Sequence, residues 1–108
     1  MGKEVIVYKL PNGEEPLSAW INEIKDSSNR ARIKTRLARI LTGNLGDCKY
    51  LKDGISELRF KFSSGYRVYY SELDNVLLLL LCGGDKSSQS RDIQKAIDYL
   101  KDYKELVK

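Results

Sequence analysis

The fold of this chain is constrained most by residues 57 to 70, in which apolar and charged side chains alternate. Leu58, Phe60 and Phe62 are each separated by one charged residue, and this period of two is typical of a β-strand with one buried face. Residues 63 to 65 end in glycine, which suits the left-handed position of a three-residue hairpin turn. The pattern therefore predicts two antiparallel strands with one apolar face and one cationic face.

The register of the predicted hairpin depends on the length of its turn. A three-residue turn keeps apolar residues opposite apolar ones, whereas a two-residue turn would mix apolar and charged residues on both faces. The predicted pairs are Phe62 with Tyr66, Lys61 with Arg67, Phe60 with Val68 and Arg59 with Tyr69. The predicted buried face holds Leu58, Phe60, Phe62, Tyr66, Val68 and Tyr70, and the predicted open face holds Arg59, Lys61, Arg67 and Tyr69.

The predicted open face combines three cations with a phenol. Such a set suits a phosphate, because arginine and lysine donate charge-assisted hydrogen bonds to its oxygens. A polar strand face is also typical of an antiparallel sheet whose second side is only solvated. Evidence from the rest of the sequence is needed to decide whether this face binds an anion or is only solvated.

The charge of the chain and its placement favour an anionic partner. Lysine and arginine number 19 against 15 acidic residues, which gives a net charge of +4. Residues 30 to 39 contain only cations among their charged residues, so Arg32, Arg36 and their neighbours are candidates to contact RNA. The solvated side of an amphipathic helix would show the same pattern.

Several kinds of chemistry are excluded by composition. The sequence has no histidine, which removes Ser-His and Cys-His nucleophile pairs and histidine-ligated zinc. Cys48 and Cys82 form no metal-binding spacing, so we expect no metal and no cofactor, and a reducing cytoplasm is the simplest location. The longest apolar run, residues 76 to 82, is too short to span a membrane.

Periodicity and turn residues predict a single domain over residues 1–108. The predicted elements are a strand at 4 to 8, two helices between Pro16 and Gly43, a loop at 42 to 56, the hairpin, a central strand at 76 to 82 and a last helix through Leu100.

The turn between the central strand and the last helix contains Gly83, Gly84, Asp85 and Lys86. Its letters resemble a phosphate loop, but the required spacing is missing, which excludes nucleotide hydrolysis of that type. Lys86 follows the central strand and would lie near the hairpin if the two are neighbours. Lys49 and Lys52 precede the hairpin and extend the possible anionic footprint, although surface lysines are common.

The chain resembles the addiction-module killer proteins, bacterial toxins of the RelE/ParE superfamily on the branch close to HigB. The resemblance covers nearly the whole chain and rests on Gly43-Asn44-Leu45-Gly46-Asp47, Leu51-x-Asp53-Gly54-x-x-Glu57-Leu58-Arg59, Gly65-Tyr66-Arg67-Val68-Tyr69-Tyr70, Leu81-Cys82-Gly83-Gly84-Asp85-Lys86-Ser87-Ser88-Gln89 and Asp92-Ile93. It implies a RelE-like α+β fold, with two N-terminal helices packed on a twisted, mainly antiparallel β-sheet, plus a C-terminal helix. It also implies a toxin of a type II toxin–antitoxin system.

RelE-like toxins cleave messenger RNA on the ribosome without metal. The resemblance therefore implies that Arg67, with Arg59 beside it, clamps the reacting phosphate and that Lys61 or Lys86 protonates the leaving oxygen. Tyr69 would orient the 2′-hydroxyl or stack on a base. Tyr99 and Tyr103 are the candidates for the C-terminal tyrosine that RelE-type enzymes often use.

The implied partners are a cognate antitoxin, usually a small helix-turn-helix protein, and messenger RNA on the ribosome. Operator DNA would be reached only through the antitoxin complex, and no membrane is involved. Two alternatives stay open: a ParE-like inhibitor that binds DNA gyrase without catalysis, and a non-catalytic module that only binds antitoxin and DNA.

Overall fold

The computed structural model describes residues 4–62, 65–74 and 77–107. The elements in chain order are β1 (Glu4–Val7), α1 (Pro16–Glu23), α2 (Ser27–Ile40), β2 (Cys48–Lys52), β3 (Ile55–Arg59), β4 (Arg67–Leu73), β5 (Leu77–Gly84), a 3₁₀ turn (Lys86–Ser88) and α3 (Gln89–Leu106).

The strands form one mixed sheet in the order β1-β5-β4-β3-β2. Strand β1 runs parallel to β5, while β5, β4, β3 and β2 pair antiparallel with their neighbours. The parallel pair is possible because the chain between β1 and β5 is long enough to cross the sheet.

Local sequence explains where the helices begin. Pro16 occupies the first turn of α1, where its missing N–H costs no hydrogen bond. The Asp26 side chain caps α2 by accepting hydrogen bonds from the backbone N–H groups of Ser28 and Asn29. Within the described residues, no helix combines the length and apolar character needed to cross a bilayer.

Both faces of the sheet are covered by apolar clusters. The face toward α1 and α2 buries Leu17, Ile21, Ile24, Ile33, Ile40, Leu58, Phe60, Val68, Tyr70, Leu78 and Leu80. The face toward α3 buries Tyr8, Ile55, Tyr69, Leu79, Leu81, Cys82, Ala96, Ile97 and Leu100. Alternation along β3 and β4 divides their residues between the two clusters.

The chain is α+β, but the arrangement predicted from the resemblance is wrong. The first described element is strand β1, and the pair of helices α1 and α2 follows it. Helix α1, the first of the pair, is short. The strands occupy the centre of the chain in a single five-stranded sheet, and the longest helix, α3, is C-terminal and covers the second face. The layout of two N-terminal helices packed on a mainly antiparallel sheet is therefore not the layout of this chain.

The predicted hairpin register is also wrong. Leu58 pairs with Val68 and Arg59 with Arg67, because the connection is longer than predicted: Phe60 N–H donates to the Tyr66 carbonyl. Each partner shifts by two residues, so the paired side chains of β3 and β4 keep their predicted sides of the sheet. Gly65 has the predicted left-handed conformation, with φ of 72°. Ser63 and Ser64 lie outside the described residues, as does Val76 in the predicted central strand.

Residues 42 to 56, interpreted as a loop, contain β2 and a tight turn into β3. Asp53 and Gly54 have φ of 51° and 84°, the left-handed values of the Asp-Gly turns that join antiparallel strands. This turn places the edge strand β2 beside β3.

Candidate anion-binding site

Cationic residues meet at one end of the sheet, where β3 ends and β4 begins. Arg59 and Arg67 are directly opposite each other across this pair of strands. Gly65 lies between Arg67 and Lys86: a methyl group on its Cα would be 3.5 Å from Arg67 Nη1 and 3.6 Å from Lys86 Cβ. Three of the predicted site residues, Arg59, Arg67 and Lys86, therefore lie at this end of the sheet.

Arg67 is held by groups on two sides. Its Nη1 donates to the Gly65 carbonyl at 2.8 Å. Its Nε lies 3.3 Å from Oε1 of Glu57, whose side chain is only 4% exposed. This Nε has no hydrogen-bond partner among the described residues, so its contact with Glu57 is an ion pair without an aligned N–H. Coulomb attraction survives that misalignment, because it depends on distance rather than on the N–H direction.

Arg59 is occupied by a different carboxylate. Its Nη2 and Nε donate to the same oxygen of Asp47, at 2.7 and 3.2 Å. These hydrogen bonds from Arg59 hold the pKa of Asp47 below its usual value. The Arg59 side chain is 41% exposed, so an incoming phosphate can reach it in competition with Asp47.

Two adjoining cavities share the wall formed by Asp47, Arg59, Phe60 and Lys61. The larger, of about 630 Å³, extends along α2, and the smaller, of about 350 Å³, extends to Arg67. Together they form what we call the cationic groove. Its charged lining consists of Arg32, Arg36, Arg39, Asp47, Arg59, Lys61 and Arg67.

Aromatic rings form the floor of the groove beneath its cations. The Arg32 guanidinium lies 5.2 Å from the centre of the Phe62 ring, and that of Arg36 lies 4.6 Å from the centre of the Phe60 ring. Cation–π attraction holds these two α2 arginines against the segment that follows β3.

Arg36 has a structural role that its sequence context did not reveal. Its guanidinium donates to the backbone carbonyls of Leu45, Asp47 and Arg59. Burial lowers the pKa of Arg36, although the neighbouring Asp47 charge opposes that shift. Both Nη2 hydrogens and one Nη1 hydrogen are used, so Arg36 fastens the loop before β2 and the end of β3 to α2.

The prediction that Tyr69 lies on an open face is wrong. Its side chain is 0% exposed and packs beneath α3. Its hydroxyl has no hydrogen-bond partner among the described residues, and burial raises its pKa, followed by the charges of Asp92 and Glu57. The last helix therefore removes Tyr69 from any substrate.

The other predicted residues separate into two groups. Lys61 and Lys86 are exposed, the first in the groove wall and the second beside Gly65. Lys49 and Lys52 are exposed on the edge strand β2, and neither is among the described residues that line the groove.

The two C-terminal tyrosines lie away from the groove. Tyr99 stacks on Tyr8 with ring centres 5.0 Å apart, near the opposite edge of the sheet. Tyr103, which is also a residue of α3, packs against the apolar cluster between α3 and the sheet. Neither lines the groove in the part of the chain that the structure describes.

The sequence interpretation missed the carboxylates of the site. Glu57 and Asp47 contact the two central arginines. The signal for Glu57 was present, because alternation puts it on the same side of β3 as Arg59. Within the described residues, no group of three or more His, Cys, Asp or Glu side chains is placed to hold a metal ion.

Fold and site together define an α+β protein with a cationic groove at one end of a mixed five-stranded sheet. No protein-family model matches the chain. An uncharacterized protein of Haemophilus influenzae is 46% identical over 78 residues, which cover 72% of this chain and 79% of that protein. The chain belongs to the same family as this Haemophilus protein.

Proposed function

We propose that this chain is the toxin of a type II toxin–antitoxin system and acts as a metal-independent endoribonuclease on messenger RNA bound to the ribosome. The observation that carries the proposal is the opposed pair Arg59 and Arg67, with Lys61 and Lys86 beside them. The resemblance to addiction-module killer proteins supports the same activity. The proposed location is the cytoplasm, where the message and the ribosome are found.

In the proposed reaction, the ribose 2′-oxygen attacks the adjacent phosphorus. The 2′-hydroxyl releases its proton to water, the bond from phosphorus to the 5′-oxygen breaks, and a cyclic phosphate and a 5′-hydroxyl are formed. Arg67 and Arg59 donate hydrogen bonds to the nonbridging oxygens as their negative charge increases. The ammonium group of Lys61 or Lys86 gives its proton to the 5′-oxygen.

The groove along α2 suits the RNA on either side of the cleaved bond. Arg32 and Arg39 line it with positive charge, and Phe60 and Phe62 give it apolar surface. Single-stranded nucleic acid is commonly bound by this combination of cations and aromatic rings. Lys49 and Lys52 lie outside the groove and contribute to the long-range attraction of RNA. A cognate helix-turn-helix antitoxin would inhibit the toxin by covering the groove, and operator DNA would be bound through that antitoxin.

The test is induced expression without antitoxin, with growth followed and new 5′ ends mapped on translated messages. We expect growth arrest with cuts inside reading frames. Arg67→Lys keeps a positive charge beside Glu57 but loses the planar fork of donors, so cleavage should slow by about a hundredfold. Arg67→Ala should slow it at least as much, but leaves the Glu57 carboxylate buried without its counter-ion and needs a parallel melting measurement.

The control is Arg91→Ala, which removes an exposed arginine from α3 outside the groove. It should cleave at the wild-type rate. Arrest without cuts would redirect the search to DNA gyrase, and the absence of arrest would indicate a binding module. Normal cleavage by a folded Arg67→Lys chain would remove Arg67 from the mechanism.

A further inference from the structure

A buried carboxylate stands directly behind the central arginine of the groove. Glu57 is 3% exposed, and its Oε1 is 3.3 Å from Arg67 Nε. The same oxygen accepts a hydrogen bond of 3.4 Å from Nε2 of Gln89, the first residue of α3. Glu57 is thus contacted by two elements, β4 and α3, while lying outside the groove itself.

Burying a carboxylate is costly unless charge and hydrogen bonds compensate for its lost hydration. An uncharged residue at this position of β3 would fit the apolar cluster beneath α3 without that cost. The described contacts of Arg67 use its Nε and Nη1, toward Glu57 and Gly65. The carboxylate at Nε and the carbonyl at Nη1 therefore hold the guanidinium at two different edges, and the Nη2 donors, which none of these described contacts uses, are available to a ligand.

We propose that Glu57 is a positioning residue that fixes the Arg67 guanidinium for the transition state, with Gln89 supporting Glu57 from α3. The inference rests on the proposed ribonuclease function and adds to it a residue that does not touch the RNA. Its negative charge has two opposite effects. It orients Arg67, which favours turnover, and it competes with the phosphate for Arg67, which weakens RNA binding in the ground state.

Because the Glu57 charge should favour cleavage but weaken RNA binding, measuring both quantities in one variant tests the proposal. Glu57→Gln keeps the size of the side chain and removes its charge. Because Arg67 is then less constrained, single-turnover cleavage of ribosome-bound message should fall by about tenfold or more. Because the competing anion is gone, the Kd for a noncleavable 2′-deoxy analogue of the RNA should fall by about threefold at the same salt concentration.

The matched control is Glu4→Gln, which removes one exposed negative charge at the far edge of the sheet. It corrects for the change in net charge and should leave both quantities within about twofold of wild type, as expected for a distant charge that salt screens. The double variant Glu57→Gln/Arg67→Lys should cleave no more slowly than Arg67→Lys alone, since the effect of Glu57 passes through Arg67.

A purely structural role for Glu57 predicts a lower melting temperature and a parallel loss of cleavage and binding, which would overturn the inference, as would unchanged cleavage by Glu57→Gln. If the wild-type chain cleaves no RNA, the proposed function fails, and a separate measurement decides the contact. The Arg67 Nε–H resonance in NMR spectra of the free protein should shift in Glu57→Gln and stay in place in Glu4→Gln. If the chemical shift of the Arg67 Nε–H does not change in Glu57→Gln, that result alone refutes the positioning role.

Discussion

Arg67 and Tyr69 are separated by one residue on β4 and lie on the same side of the sheet, yet only one of them is available to a ligand. Tyr69 is sealed beneath α3. Arg67 lies opposite Gly84, at the end of the sheet, where it lines the cationic groove. Strand alternation therefore assigns a residue to a side of the sheet, whereas the extent of the covering helix decides its exposure.

The largest expected contrast between covered and open regions is in cysteine reactivity. Cys48 is exposed on β2, whereas Cys82 is buried on β5 beneath α3. A thiol reagent at pH 8 should modify Cys48 about a thousandfold faster or more, because Cys82 reacts only when the structure opens. Mass spectrometry of the labelled native protein measures both rates, and denaturant should make them similar.

Burial of the Cys82 thiol also makes the stability of the protein depend on pH. Burial, followed by the Asp92 charge, raises the pKa of Cys82 to about 12. The unfolded chain ionises this thiol near its ordinary pKa of about 8.5, so its contribution to stability is complete below that pH and decreases as the pH rises above it. Rapid labelling of Cys82 in the native protein would show that α3 does not cover β5 as described.

The next largest effect is expected at Gly84, where α3 begins to cover the sheet. A methyl group on its Cα would lie 1.9 Å from Asp92 Oδ2 and 2.9 Å from Ser88 Oγ. These atoms are hydrogen-bonded to each other, and Asp92 is buried. Gly84→Ala should therefore lower the free energy of unfolding by about 3 kcal/mol in a denaturant titration, because both packing and that hydrogen bond are disturbed.

A second variant shows whether Asp92 is the cause. Asp92→Ala creates room for the methyl group, so Gly84→Ala should cost less in an Asp92→Ala background than in the wild type. Equal costs in both backgrounds would place the clash elsewhere. An undiminished free energy of unfolding in Gly84→Ala would mean that α3 does not approach β5 this closely.

The smallest expected effect concerns Tyr69 itself. Tyr69→Phe removes a buried hydroxyl that has no partner among the described residues. The free energy of unfolding should stay the same or rise by about 1 kcal/mol, and RNA cleavage should be unchanged. Tyr70→Phe is the matched control: the hydroxyl of Tyr70 interacts with Cys48 and Ser56, so its removal should reduce stability by about 1 kcal/mol. Slower cleavage by Tyr69→Phe would return Tyr69 to the reaction.

Local patterns in the sequence predicted individual elements of this fold, whereas the predicted arrangement of those elements was wrong. The sides of β3 and β4, the left-handed Gly65 and the amphipathic stripes of the helices each depend on neighbouring residues, which a pattern records. The parallel pairing of β1 with β5 and the seating of α3 over Tyr69 join distant parts of the chain, and no local period reports them. The edge strand β2 was missed although the Asp53-Gly54 turn indicated it.

The site was predictable to a similar extent. Arg59 and Arg67 were found because they share one side of a hairpin, and a register error of two residues does not change that side. Their carboxylate partners differ in this respect. Asp47 reaches Arg59 from a loop, and Glu57 reaches Arg67 diagonally across two strands. These contacts between carboxylates and arginines are visible only in three dimensions.

The order of the strands in the sheet determines which parts of it can form while the protein is still being synthesised. Synthesis proceeds from the N-terminus, so β1 leaves the ribosome well before β5, the strand with which it pairs. The antiparallel strands β2, β3 and β4 can pair before β5 has been synthesised, while β1 still lacks its partner. Gln89, which contacts Glu57, is synthesised after all the described strands. A chain truncated before Gln89 would carry the groove arginines without the helix that supports Glu57 behind Arg67. The contact that supports Glu57 behind Arg67 is thus completed only after all the described strands have been synthesised.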